Sequence, residues 1–170
     1  MCSSYLDTVD FRGRYLFVIC LISLVVNYII IIILTDKLQS PVVTFTATTS
    51  RNIWTTYWDR LRVVIFDYVI TNVGGAYNST SGIFTAPGSG NYCFSWTTLT
   101  LNGYSFESKL YRNGFEVYPL YSHANAKQDD LDSSSNLVSL SLSKGDRIWI
   151  VYISGGFLDT GASSFSGWKL

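Results

Sequence analysis

The pattern of hydrophobic and polar positions divides the chain into two parts. Residues 15–34 form an apolar run that contains no charged side chain and one interior amide, Asn27. As a helix, the twenty residues of this run would span roughly 30 Å, which is the thickness of the hydrocarbon core of a bilayer. The run therefore predicts one N-terminal transmembrane helix.

The same run is longer than the apolar region of a secretory signal peptide, and no small-x-small cleavage site follows it. We therefore expect a signal-anchor, with a cleaved signal peptide and a secreted protein as the alternative. Arg12 and Arg14 precede the run, and positive charge stays on the cytoplasmic side of a membrane. The expected protein is a single-pass type II membrane protein with an extracellular C-terminal domain. Its segments are a cytoplasmic tail (1–14), the anchor (15–34), a linker (35–41) and a folded domain (42–170).

From residue 42 onward the hydrophobic positions recur with a period close to two, which is typical of strands in a half-buried sheet. In residues 137–142, for example, leucines largely alternate with serines. Turn residues such as Gly74-Gly75 and Asn113-Gly114 separate such segments. The predicted strands cover residues 42–47, 62–67, 83–84, 92–96, 105–112, 115–121, 137–142, 147–153 and 162–170. Short, nearly evenly spaced strands predict an all-β sandwich or jelly roll.

Composition narrows the classes of function. The chain is 48% hydrophobic and 14% charged, and from residue 43 onward nine basic side chains balance nine acidic ones. A neutral domain without a basic stripe lacks the electrostatic footprint of a nucleic-acid-binding protein, so nucleic acid is not an expected partner. Of the three cysteines only Cys93 lies in the folded part. This excludes a disulfide framework and predicts that Cys93 is a small buried hydrophobe.

Residues 65–96 carry a specific series of motifs. They are Asn72-x-Gly74, Ala76-Tyr77-Asn78, Gly82-x-Phe84-x-Ala86-Pro87 and Gly90-x-Tyr92-x-Phe94. Asn113-Gly114, Gly145-Asp146 and a closing Ser164–Leu170 segment follow at matching spacing. Taken together, these motifs resemble the globular domain of the complement C1q family over essentially all of residues 42–170.

The resemblance implies a ten-stranded jelly-roll sandwich, similar to the fold of tumour necrosis factor, that assembles as a compact homotrimer. It also implies extracellular recognition of the innate-immune type, as in many members that lack a collagen-like segment. The large aromatic side chains of the motifs suit the core or a subunit interface. These aromatic residues are Tyr77, Phe84, Tyr92, Phe94 and Phe165.

The expected function is a binding module for a glycan, a microbial surface molecule or a protein. Candidate ligand contacts lie in two predicted loops, residues 52–59 and 121–135. They are Trp54, Tyr57 and Trp58 in the first loop, and Tyr121 and His123 in the second. The first group suits a sugar or a protein, and equally suits packing against the trimer or the membrane interface. The alternative function is a trimeric signalling ligand of the tumour necrosis factor type, which would bind a receptor between its subunits.

No enzyme is expected, because the sequence offers no nucleophile with a matching base. His123 is the only histidine, and Cys93 has no neighbouring base to activate it. The acidic residues 129–132 offer oxygen ligands for calcium, with a solvated acidic loop as the alternative. The resemblance implies calcium binding through Asp132, and Asp130 is the second candidate ligand. Calcium-binding relatives carry an Asp-Gln pair where this chain has Ala124 and Asn125.

Asn78-Ser79-Thr80 is the chain's only N-x-[ST] sequon. It lies in a stretch rich in Ser, Thr and Gly, which predicts an exposed loop. Since glycan attachment requires an exposed asparagine on the lumenal side of a membrane, the sequence predicts N-glycosylation at Asn78.

Overall fold

The computed structural model describes residues 3–38, 41–56, 59–160 and 162–170. The chain forms two units, Met1–Pro41 and Val42–Leu170. In the first unit, helix α1 (Ser3–Leu38) contains the apolar segment Gly13–Thr35, which is 23 residues long. The side chains of this segment are exposed on every side. A helix that is apolar all round suits lipid, so the predicted N-terminal apolar helix is confirmed, in a form compatible with an anchor or a signal peptide.

The second unit consists of twelve strands within the described residues. They are β1 (Thr44–Thr48), β2 (Ile53–Trp54), β3 (Tyr68–Val73), β4 (Tyr77–Asn78), β5 (Ile83–Thr85), β6 (Gly90–Leu101), β7 (Ser105–Arg112), β8 (Phe115–Asn125), β9 (Leu131–Leu142), β10 (Arg147–Gly155), β11 (Phe157–Leu158) and β12 (Ser164–Lys169).

Ten of these strands form two five-stranded antiparallel sheets. Sheet I has the order β3-β1-β12-β6-β9, and sheet II has the order β4-β5-β10-β7-β8. The first and last strands, β1 and β12, are neighbours in sheet I, so the chain closes on itself as a jelly roll does. The predicted ten-stranded jelly-roll sandwich is therefore confirmed. Strands β2 and β11 add a separate two-stranded ribbon that the sequence pattern did not predict.

The core between the sheets is mainly aromatic. Phe45 stacks on Tyr77 with ring centroids 4.6 Å apart and meets Phe165 edge-on at 4.9 Å. Such offset and edge-to-face pairs contribute beyond the apolar area that they bury. All five aromatic residues of the sequence motifs lie in this core and are at most 4% exposed: Tyr77, Phe84, Tyr92, Phe94 and Phe165. They pack within one chain and leave its surfaces to other residues.

The prediction of a strand over residues 62–67 is wrong. In the structure this segment forms only an isolated bridge, between Val63 and Val151. The Phe66 carbonyl accepts a hydrogen bond from the Tyr77 hydroxyl at 2.9 Å. At Phe66 a side chain therefore satisfies the backbone carbonyl in place of a neighbouring strand.

The prediction of an exposed polar loop over residues 121–135 is also wrong. Strand β8 continues to Asn125 and β9 begins at Leu131, which leaves a turn of only a few residues. Alternate polar side chains here, such as Ser122 and Ser134, turn toward the gap between the sheets, while Tyr121, His123 and Ser133 stay exposed. The Asp132 carboxylate, for example, accepts a hydrogen bond from the Asn125 N–H at 2.6 Å. A side chain with this role looks like a loop residue in the sequence, because polarity alone does not show what it bonds to.

Candidate functional site

Sheet I has an outer surface without charged side chains, which we call the uncharged face. Its five strands carry only two charged residues, and both lie toward the sandwich interior. Asp132 accepts a hydrogen bond from Asn125, and the Lys169 ammonium lies 6.0 Å from the centroid of the Tyr92 ring. The outward residues are hydroxyl-bearing or apolar, apart from the amide of Asn91. Those of β9, β6 and β12 are Leu131, Ser133, Ser135, Leu137, Ser139, Ser141, Asn91, Cys93, Ser95, Thr97, Leu99, Leu101, Ser164, Ser166 and Trp168.

Several apolar side chains of sheet I are open to solvent in the single chain. Leu131 and Leu137 are each 61% exposed, and Ile70 in β3 is 62% exposed. Strand β3 lies at the edge of the sheet and carries no charge. Natural proteins protect uncharged edge strands and apolar patches by covering them. The uncharged face therefore has the character of an association surface.

The outer surface of sheet II, in contrast, is charged. Lys109 donates a hydrogen bond to Glu116 at 3.0 Å, and this bond raises the pKa of the Lys109 ammonium. Two of the predicted ligand contacts lie on the same surface. Tyr121 is opposite Lys109 in the strand register, and His123 is opposite Glu107. This surface is stable in contact with water, because its charged side chains are solvated or paired within the chain.

Three aromatic rings form a cluster at one end of the sandwich, which we call the aromatic platform: Trp54, Tyr104 and Phe157. Trp54 of β2 pairs with Phe157 of β11, and their ring centroids lie 4.6 Å apart. Tyr104, in the turn between β6 and β7, meets Trp54 edge-on at 5.4 Å. Phe157 is buried, whereas Trp54 is 64% exposed. Phe157 thus supports the indole from inside, and Trp54 presents it to solvent.

Polar side chains surround the platform and form what we call the polar rim: Asn52, Asn102, Gln128 and Asp129. Together with the platform and Leu101 they line a depression of about 570 Å³. This volume lies within the range of about 300–1,000 Å³ that is typical of small-molecule sites. The depression combines an apolar floor with amide and carboxylate groups, which is the usual composition of a specific binding site.

The two turns that carry the rim residues Asn102, Gln128 and Asp129 are held to each other by backbone hydrogen bonds. The Asn102 N–H donates to the Asp130 carbonyl at 3.0 Å, and the Gly103 N–H donates to the Lys127 carbonyl at 2.9 Å. Asn102 and Asp129 both adopt left-handed backbone conformations, with φ of 55° and 59°. Asn and Asp tolerate this region better than other non-glycine residues. The rim is therefore fixed by the fold before any ligand arrives.

The platform lies at the end of the sandwich opposite the point where the domain begins. β1 starts beside the end of β12, with Thr44 opposite Trp168. β6 runs in the same direction as β1, so its last residue, Leu101, reaches the far end, where β9 begins. A ligand site at this far end is remote from the residue at which the preceding segment joins the domain.

The structure brings together only part of the predicted set of ligand contacts. Trp54 lies in the platform, while Tyr121 and His123 lie on the outer surface of sheet II. Tyr57 and Trp58 are outside the described residues. The sequence pattern did not single out Tyr104, Phe157 or Asn102. Gln128 and Asp129 lay within the candidate loop 121–135, with Asp129 considered only as a calcium ligand. The available signal was an aromatic residue directly after an Asn-Gly or Gly-Gly turn, as at Tyr104 and Phe157.

The acidic residues expected to bind calcium do not converge. Asp132 points into the sandwich toward Asn125, and Asp130 accepts a hydrogen bond from the Leu131 N–H at 2.8 Å. Among the described residues there is no group of three or more His, Cys, Asp or Glu side chains that could hold a metal ion. Calcium binding stays a prediction from the sequence.

The sequon asparagine, Asn78, is exposed at the end of β4. Its side-chain oxygen accepts hydrogen bonds from the backbone N–H groups of Thr80 at 2.9 Å and Ser81 at 3.0 Å. The sequon thus lies in a tight surface turn, a position open to a bulky glycan.

The two side chains considered for catalysis lie in different sheets. Cys93 is buried in sheet I, and its sulfur donates to the Ser139 hydroxyl oxygen at 3.5 Å. His123 is exposed on sheet II, opposite Glu107. A thiol needs a base within hydrogen-bond reach to act as a nucleophile, and the histidine is on the other sheet.

The two five-stranded sheets, with the first and last strands as neighbours, define a jelly-roll domain. The structure is similar to the globular domain of a zebrafish complement 1qA protein, with a TM-score of 0.61 and 16% identity over 76% of this chain and 97% of that one. It is also similar to Eiger TNF from S. frugiperda, with a TM-score of 0.56 and 14% identity over 77% of this chain and 94% of that one. At these identities the similarity shows the fold alone.

A family model for the C1q domain matches residues 44–170, and the chain belongs to this family. The resemblance inferred from the motifs is confirmed. Complement C1q tumor necrosis factor-related protein 3 from mouse is 35% identical over 89 residues. The match covers 51% of this chain and 35% of that protein, so the chain corresponds to about a third of the relative's length.

Proposed function

We propose that this protein is a homotrimeric recognition module, displayed outside the cell, that binds its ligands without changing them chemically. The observation that carries the proposal is the contrast between the two outer surfaces of the sandwich. One is charged and suits water, and the other is uncharged and presents exposed leucines. A surface of the second kind is stable in solution when it is covered by other subunits.

A closed ring of subunits suits this surface because it buries the same patches in every subunit. The uncharged edge strand β3 and the uncharged face belong to the same sheet. In a ring, an edge of one subunit can pack against the face of the next until all are covered. Family membership supports this assembly, since the domain belongs to the C1q type.

A trimer would present three equivalent copies of the far-end loops. Because binding at a second site becomes intramolecular once the first is occupied, weak single-site contacts add up to high avidity. This property suits repetitive ligands such as surface glycans or microbial polymers, and it is consistent with recognition of the innate-immune type.

The proposal is tested by measuring the mass of the purified chain in solution, with and without calcium, by light scattering. We expect a trimer. Leu137→Lys places a charge on the uncharged face and should shift the chain to monomers. Tyr121→Lys, a matched change at an exposed position of sheet II, should leave the trimer intact. A monomeric wild-type chain at micromolar concentration would contradict the proposal.

The second candidate is the trimeric signalling ligand that the sequence left open, and the fold that this chain shares with a tumour necrosis factor accommodates it. It would bind a receptor in the grooves between subunits instead of a ligand at the far end. Affinity capture on cell surfaces separates the two functions. Recovery of one receptor ectodomain, with no binding to microbial polysaccharide, would favour the signalling ligand.

A further inference from the structure

We propose that the aromatic platform and its polar rim form a binding site for the pyranose ring of a neutral sugar. The inference deepens the proposed recognition function and rests on it. It assigns the ligand class from the chemistry of Trp54, Tyr104, Asn102, Gln128 and Asp129 at one depression.

The exposed indole of Trp54 offers a flat surface on which a ligand can stack. Trp54 is 64% exposed, although a tryptophan with a purely structural role is normally buried for most of its surface. Phe157 packs against it from inside at 4.6 Å and Tyr104 meets it edge-on. The neighbours therefore fix the plane of the ring and leave part of it open. The apolar C–H face of a pyranose is a flat partner of matching size for such a ring.

The polar rim offers hydrogen-bonding groups around this surface. The hydroxyl groups of a sugar are both donors and acceptors, and they project around the edge of its ring. Asn102 and Gln128 offer amide donors and acceptors, and Asp129 offers a carboxylate acceptor. Gln128 already donates a hydrogen bond to the Asp129 carboxylate at 3.2 Å, which orients both groups. Hydrogen bonds to an ionised carboxylate are stronger than those between neutral groups.

Charge decides between neutral and acidic sugars. Asp129 is the one charged side chain among the described residues that line the depression, and no basic side chain is among them. A sugar that carries its own carboxylate would meet like charge at short range, which lowers its affinity. The depression therefore favours neutral hexoses over sialic or uronic acids.

The site is held in place before a ligand binds. The two turns that carry Asn102, Gln128 and Asp129 are joined by backbone hydrogen bonds of 3.0 and 2.9 Å. A ligand that enters such a site orders few additional groups, so more of its contact energy appears as affinity.

The test is binding of free monosaccharides and a glycan array to the full-length chain, purified in a detergent without a sugar headgroup. We expect neutral hexoses to bind and acidic sugars to bind more weakly. Trp54→Ala should weaken neutral-sugar binding by about two- to tenfold, as loss of an aromatic stacking contact does. Phe115→Ala, which removes a ring that is 79% exposed on sheet II, should leave binding unchanged.

Asp129→Asn keeps a residue that tolerates the left-handed backbone and removes the charge. It should weaken neutral-sugar binding severalfold and narrow the difference between neutral and acidic sugars. The solution mass and thermal melt of each variant show whether the domain and its assembly are intact. If the wild-type trimer binds no neutral sugar, if it prefers acidic sugars, or if a folded Trp54→Ala chain binds as wild type, the sugar site is wrong. A wild-type chain that is monomeric in solution would instead count against the proposed function.

Discussion

Gly167 lies where two aromatic rings of the core approach the backbone of β12. A Cβ atom at this position would lie 2.6 Å from a ring carbon of Phe45 and 2.7 Å from one of Phe94. Its backbone is not in the left-handed region, so the requirement is purely for space. The sequence showed this glycine as a family landmark, but only the packed core explains it.

Gly167→Ala should therefore destabilise the domain by about 1–3 kcal/mol, because overpacking forces rings or backbone to move. Urea unfolding followed by the fluorescence of Trp96 and the other tryptophans measures the change. Gly88→Ala is the matched control, since an added Cβ there meets no atom closer than 3.9 Å and the backbone is also unstrained. Equal stability of the two variants would contradict the packing explanation.

Other turn glycines were understood from the sequence itself. The Asn113-Gly114 pair was predicted to form a hairpin, and both residues have positive φ, 52° and 95°. This is the geometry of a two-residue hairpin turn, which local chemistry alone specifies.

At the scale of elements, Asp146 joins two hairpins at the end of the sandwich where the domain begins. Its carboxylate accepts hydrogen bonds from the Asn113 amide at 2.7 Å, the Ser143 N–H at 2.8 Å and the Arg112 guanidinium at 2.7 Å. These bonds, with that from Asn113 the largest cause, hold the pKa of the Asp146 carboxyl below its ordinary value of 3.8. The Gly145-Asp146 landmark thus connects the β7–β8 turn to the β9–β10 turn.

A lowered pKa in the folded state means that ionised Asp146 stabilises the fold above its ordinary pKa. This stabilisation is lost as the pH falls through the pKa of the folded state. We expect the free energy of unfolding to decrease below about pH 4, and Asp146→Asn to reduce both the stability at neutral pH and this decrease. Chemical denaturation at pH values from about 2.5 to 7 measures the stability at neutral pH and its decrease in acid.

Asp130→Asn, at an exposed carboxylate on the opposite end of the sandwich, serves as the control and should retain the wild-type profile. An unchanged acid dependence in Asp146→Asn would show that the network does not contribute.

Strand β9 closes the gap between the sheets with side chains at every second residue. Asp132 accepts from the Asn125 N–H, Ser134 accepts from the His123 N–H at 3.2 Å, and the Asn136 amide donates to the Tyr121 carbonyl. These contacts satisfy backbone groups along the free edge of β8, which would otherwise invite pairing with another chain.

Ser134→Ala should cost about 1 kcal/mol of stability, because the His123 N–H loses its hydrogen-bond partner and the contact between β8 and β9 loosens locally. Ser133→Ala changes the same side chain on the opposite face of β9 and should be close to neutral. Amide hydrogen exchange gives a direct measurement, in which His123 should exchange faster in the first variant only. If exchange at His123 is unaffected, the side chain of Ser134 does not protect this edge.

At the scale of the whole molecule, the apolar helix and the sequon predict the same orientation. An N-terminus that stays in the cytoplasm places Asn78 in the lumen, where N-glycans are attached. We expect the full-length chain from eukaryotic cells to lose mass on treatment with an N-glycosidase. Asn78→Gln and Thr80→Ala should both abolish this loss.

N-terminal sequencing of the same material separates an anchor from a cleaved signal peptide. Retention of the first residues, together with an Asn78 glycan, is the expected result. A sequon introduced into residues 1–14 that is glycosylated while Asn78 is not would show the opposite orientation.

Local chemistry in the sequence determined the apolar helix, the strand period, the turn positions and, through the spaced glycines and aromatics, the family. These features depend on residues close together in the chain, where a period or a turn pair has one physical interpretation. Tertiary structure decided the rest. It placed Trp54 beside Tyr104 and Phe157, from three distant segments, and it separated Trp54 from Tyr121 and His123. It also turned Asp132, Ser134 and Asn136 of β9 inward to bond with β8. Contacts between distant segments depend on sheet order and register, which no local pattern specifies.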